Sequence, residues 1–222
     1  MQNSTRTAAF SAVAFTVLYL AATFLPTLPE GASSDAKVLG LVQESGSRSL
    51  IVVGSVLFIL AALALLPFVS QLTATLRHAE LGRTDPDSPL VGVMSGGGLL
   101  YIAMLLMAGN AFGSYATGIA VGELPTPEDA TLVRVLSDQG FGLILIPGLL
   151  SAAAMILAAS MLARRSHALP SWVCITGFVF APLLLLGAAW APQFLVPLWT
   201  LMAGFTLRPS RVAESARTGV RV

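Results

Sequence analysis

PLVGVMSGGGLLYIAMLLMAGNAFGSYATGIAV, residues 89–121, carries no charged side chain along its whole length. At ~1.5 Å of rise per residue, a helix this long more than spans the ~30 Å hydrocarbon core of a bilayer. Stepping by three and four selects Gly92, Gly96, Leu99, Ala103, Leu106, Asn110, Gly113 and Thr117. Small residues let helix backbones approach closely in lipid, where the hydrophobic effect does not drive helix against helix. The stripe therefore predicts the central post of a helix bundle, with Asn110 turned toward protein.

The rest of the chain has the same character. Of 222 residues, 55% are hydrophobic and 10% charged, and the mean hydropathy is +0.82. A soluble domain of this size carries roughly a quarter charged residues. The composition predicts one all-α, polytopic transmembrane domain over residues 1–207 and a basic cytoplasmic tail over 208–222. Six apolar runs are read as spans: 7–25, 50–69, 89–121, 141–163, 172–189 and 194–207. The first is long for a signal sequence and lacks a clean small-x-small cleavage site, so it is read as retained. Residues 70–88 are read as a polar loop.

Charge orients the bundle. With both termini inside, the inner segments hold Arg6, Arg77, Arg83, Arg164, Arg165, Arg208, Arg211, Arg217 and Arg221, and the outer ones hold Lys37, Arg48 and Arg134. That asymmetry follows the positive-inside rule.

The two longer outer loops match at an offset of 94. Asp35-Ala36 aligns with Asp129-Ala130, Glu44 with Asp138, Gly46 with Gly140 and Gly54 with Gly148. Each loop carries apolar positions on one side of a helix. They predict two short amphipathic surface helices, with Val38, Leu41, Leu132 and Leu136 buried and Lys37 and Arg134 facing water. The first would be capped by Ser33 or Ser34. The second would be capped by Thr126, with Pro127 at its first position. The plan is a tandem hairpin repeat, 7–69 and 89–163, followed by a third hairpin, 172–207.

No span interior contains Asp, Glu, Lys, Arg or His. Intramembrane ionisable groups mark proton relays and ion coupling, so a proton-coupled pump is disfavoured. Cys174 is a lone cysteine, and His78 and His167 are read as solvated loop residues. No metal site, cofactor motif or nucleic-acid-binding pattern is present. Gly96-Gly97-Gly98 follows no strand, and is read as a packing or flexible point rather than a phosphate loop.

The candidate ligand-binding residues are Asn110, with Tyr101, Ser114 and Tyr115 on neighbouring faces, and Trp190 at a span end. For Asn110 the competing reading is an interhelical hydrogen bond. Pro147, Pro182 and Pro197 each free a helix carbonyl.

The passage MLARRSHALPSW, residues 161–172, with its basic turn, Leu-Pro-x-Trp opening and Pro-containing hairpin, resembles small six-helix bacterial membrane proteins of domain-of-unknown-function families. The resemblance implies a six-helix bundle in a bacterial inner membrane and brings no activity. The leading functional expectation is a non-enzymatic protein that binds a lipid or small apolar ligand, or an accessory subunit of a larger membrane complex or homo-oligomer. The alternatives are a small-solute transporter or channel, and a membrane enzyme acting on a lipid through surface carboxylates such as Asp138.

Overall fold

The computed structural model describes the backbone of residues 2–26, 34–81, 88–186 and 191–207. The expectations for Trp190, for Arg83 and for the tail over 208–222 lie outside the described residues. All regular structure among the described residues is helical: α1 (Gln2–Phe24), α2 (Asp35–Gln43), α3 (Ser45–Leu81), α4 (Pro89–Ala120), α5 (Thr131–Leu143), α6 (Leu149–Ser166), α7 (Ser171–Leu184) and α8 (Leu195–Thr206). A π turn, Ile144–Gly148, joins α5 to α6, and a 3-10 turn, Ala191–Phe194, leads into α8. Four helices are long and apolar enough to cross a membrane: Arg6–Phe24, Ser45–Ala79, Pro89–Ala120 and Thr131–Ser166. α7 and α8 have 14 and 12 residues.

The long helices and the α7/α8 hairpin close into a ring. α1 packs on α3, α3 on α4, α4 on α6, α6 on α7, α7 on α8, and α8 returns to α1, while α3 also meets α6 across the middle. α4 is thus a member of the ring, not its post. The most enclosed span is α6. Its small residues Ser151, Ala152, Ala153, Ala158, Ala159, Ser160 and Ala163 are buried, so its neighbours close in on several sides.

Backbone close approaches hold the ring. A Cβ on Gly97 would lie 2.7 Å from the Ser151 carbonyl oxygen and 3.0 Å from the Met155 nitrogen, so α4 runs directly against the α6 backbone there. Gly96-Gly97-Gly98 therefore serves packing, while Gly96 itself faces open space. On the α3 side, Ser55 donates to the Gly109 carbonyl at 2.5 Å, and its hydroxyl fills the place of a Gly113 Cβ. Between these contacts the interior is filled by rings. Phe58 meets Tyr19 edge-on and Phe112 at a tilt, Phe112 meets Phe141, and Phe68 meets Trp199.

Proline shapes two spans. Pro67 has no N–H, which opens the α3 ladder. At the next rung the Ser11 hydroxyl enters from α1, donating to the Ala64 carbonyl and accepting from the Phe68 N–H at 3.0 Å. Pro147 produces the π turn. The Leu149 N–H reaches back to Ile144, so the widened turn accommodates the ring.

Several boundaries differ from the sequence reading. α3 does not end at residue 69 but continues to Leu81, because Leu72 and Leu76, one turn apart, are both buried and carry the helix through polar sequence. The second outer helix starts at Thr131, not after Thr126, and Asp129 accepts from the Thr131 N–H at 2.8 Å. It is not a separate surface helix, since it runs without a break into α6. His78 lies on α3 and not in a loop, whereas His167 is an exposed residue just beyond α6, as expected, and caps it in the left-handed region with φ 55°.

α2 is a separate helix, capped as expected by Ser34, which accepts from the Lys37 N–H at 3.4 Å. Its Val38 and Val42 are buried with Val133, Ala130, Ile51 and Ala116 in a small outer core. Leu132 is exposed, contrary to expectation, and Val133 is buried in its place. The buried positions of the two outer helices therefore correspond at an offset of 95, one residue from the sequence alignment. Arg134 does not simply face water but pairs with Asp35 at 2.7 Å, tying α5 to α2. With Asp35 77% exposed, such a pair contributes less than about 1 kcal/mol.

Candidate lipid-facing groove

The sequence-predicted site residues do not come together. α4 buries Met94, Gly98, Tyr101, Leu105, Ala108, Phe112 and Ala116. That face is rotated away from the stripe of small residues read from the sequence, of which Gly113 alone is buried. Asn110 and Ser114 are exposed on the outer side. The expectation that Asn110 faces protein is thus corrected, because the inward face of α4 was chosen by aromatic fit as much as by small size. No hydrogen bond joins the Asn110 amide to another described residue. Ser114 donates weakly to the Ala111 carbonyl of its own helix at 3.4 Å. Tyr115, half-buried, donates to the Pro125 carbonyl at 3.2 Å and lines an outer cavity of about 10 Å³, room for one water.

Tyr101 is fully buried. Its ring stands edge-on to Phe15, and its hydroxyl interacts with that of Tyr19 without a hydrogen bond of good geometry among the described residues. Tyr19 in turn donates to Gln193 Oε1 at 2.7 Å. The Tyr19–Gln193 bond ties α1 to the entry of α8, and Tyr101 of α4 packs beside it through its ring. Sequence reading missed Tyr19 and Gln193, since neither carries a spacing signal and the two stand 174 positions apart.

A second polar locus opens to the side. Near the end of the bundle that carries Arg77, Arg164 and Arg165, a groove of about 530 Å³ lies between α3 and α4. Its α3 wall is Val69, Ser70, Thr73, Ala74, Arg77 and His78, and its α4 wall is Ser95 and Leu99. The α3 residues follow helical spacing and share one face. Gly98 makes room for Val69, whose methyls lie where a Cβ would be, so the inner end of the groove is apolar. Among the described residues Thr73 Oγ1 has no hydrogen-bond partner, and it is shut off from solvent. Arg77 and His78 are exposed at the rim. From Val69 to Arg77 is eight residues, roughly 12 Å along the helix. Over that distance the lining changes from aliphatic to hydroxyl to cationic.

This groove was hidden because residues 70–88 read as a loop, and a loop has no face. The usable signal was Leu72 and Leu76, which continue the helical period beyond Pro67.

Among the described residues no group of His, Cys, Asp or Glu is placed to hold a metal ion. Cys174 is buried and unpaired. Comparison with protein-family models, curated proteins and solved structures finds no match to this chain.

Proposed function

We propose that the chain is a non-enzymatic integral membrane protein that binds a membrane lipid in the groove between α3 and α4. The observation that carries this reading is the polarity gradient of that groove. An aliphatic inner end, a hydroxyl belt and a basic rim are stacked in the order of a lipid's chain, backbone and headgroup. The packed aromatic interior supports binding at the bundle's flank rather than passage through its middle. Extraction into a mild detergent followed by native mass spectrometry is expected to show one or more retained lipid adducts. Bare protein only, together with solute flux in proteoliposomes, would move the reading to transport.

The same reading takes the chain through a bacterial inner membrane six times, with both termini cytoplasmic. Its support is the depth of the last hairpin. Gly204 on α8 packs against Ala8 and Ala12 on α1, Thr16 donates to the Pro197 carbonyl, and Phe194 stacks on Phe24 at 5.6 Å. α8 and its leading turn thus run beside α1 from Ala8 to its last residue, Phe24, so the hairpin reaches as deep as a helix long enough to cross. Cysteines at Ser34 and at Thr126 are expected to react with an impermeant thiol reagent on intact cells, and one at Ser215 is not. Labelling at Ser215 would reverse the topology.

A further inference from the structure

We propose that the groove takes the phosphate of an anionic glycerophospholipid, an inference that rests on the lipid-binding reading and narrows it to a ligand class. Three features converge. Arg77 supplies a fork of donors that matches phosphate oxygens in pairs. The described lining contains no carboxylate, so an anion meets no repulsion from those residues. Thr73, one helical turn before Arg77, lines the same wall, and its hydroxyl, turned away from solvent, has no hydrogen-bond partner among the described residues; rotation about χ1 brings it into the groove. A shielded hydroxyl without a partner is costly, and an oxygen-rich ligand removes that cost.

The axial order sets the pose. Phosphate sits between Arg77 and Thr73, with Ser70 and Ser95 beside the glycerol esters. One acyl chain then runs past Val69 and Leu99, where Leu99 is 54% exposed and open to the bilayer. A soluble phosphate would use the rim but leave this apolar end unfilled. A zwitterionic headgroup would bring its own cation beside Arg77.

The test uses the full-length protein in neutral detergent, with thermal unfolding followed at increasing concentrations of dilauroyl phosphatidylglycerol, dilauroyl phosphatidylcholine or inorganic phosphate. Phosphatidylglycerol is expected to bind about fivefold or more tightly than phosphatidylcholine, the effect of one arginine near an anionic headgroup. Arg77→Gln should bring the two lipids level, and Arg77→Lys should keep part of the preference. Thr73→Val should weaken both lipids by about three- to tenfold, and Thr73→Ser should restore binding. Should Arg77→Gln fail to fold, the wild-type preference for phosphatidylglycerol is expected to shrink as ionic strength rises to about 0.5 M.

Equal binding of the two lipids by the wild type overturns the phosphate inference and leaves the lipid-binding reading standing. A preference that survives Arg77→Gln, or that ignores salt, overturns it too. Stabilisation by inorganic phosphate alone makes the groove a soluble-anion site and overturns it. If neither lipid stabilises the protein, both readings fall.

Discussion

Alanine at Gly97 is expected to lower the unfolding free energy by about 1–3 kcal/mol, the usual range for overpacking a filled interior. The physical reason is what the added methyl meets. At Gly97 it meets the Ser151 carbonyl oxygen and the Met155 nitrogen, both main-chain atoms. Main chain in a helix cannot rotate aside, so α4 and α6 must separate along their whole contact. Two neighbours provide the contrast. A Cβ on Gly98 meets the side chains of Val69 and Met155, which have some room to adjust, so alanine there costs less. A Cβ on Gly96 meets no atom within 4 Å. Alanine at Gly96 is expected to be neutral or to stabilise by up to about 1 kcal/mol, because it favours helix over glycine. Unfolding in detergent with graded denaturant ranks the three. Equal effects at Gly96 and Gly97 would mean that α4 does not meet α6 through this face.

Valine at Ser11 is the second large effect, about 1–3 kcal/mol. A lone interhelical hydrogen bond in a membrane contributes roughly 1 kcal/mol or less. Ser11 is different because one hydroxyl serves two backbone groups of α3 at the rung beside Pro67. Valine removes both bonds and places methyls against an N–H and a carbonyl that water does not reach. The loss should depend on the proline. In a Pro67→Ala background the α3 ladder closes by itself, and Ser11→Val should then cost clearly less. A double-mutant cycle measured by the same unfolding assay isolates that coupling, and strictly additive losses would disprove it.

The helical class and the main apolar runs were legible because the composition is far from that of a soluble domain, and charge-free stretches beyond twenty residues have few other uses. The start of α4 at Pro89 and the Ser34 cap of α2 were legible from local chemistry. Facing was not. A span surrounded by lipid and by apolar neighbours has apolar residues all round, so the contrast that identifies the buried side of a soluble helix is absent. Hence the stripe containing Asn110 was placed inward when all of it but Gly113 lies outward or at the flank, and the Ala-rich stretch of α6 was not recognised as the most enclosed span. The outer helices failed for a related reason. Leu132 and Val133 are equally apolar, and only the packing against Val38 and Ile51 decides which is buried. The groove was lost at a boundary, since hydropathy marks where a span leaves the hydrocarbon and not where its helix ends.

The Ser11 insertion also has a bearing on biosynthesis. The chain is made from its N-terminus, so α1 is in the membrane before α3 arrives. α3 enters lipid with a proline-broken ladder, a state that hydrocarbon penalises because no water is there to satisfy the exposed groups. The hydroxyl that completes the rung is already waiting on α1. The first hairpin can therefore settle its main-chain demands without help from α4, α6 or the final pair, which gives the bundle a natural seed on which later helices assemble as they leave the ribosome.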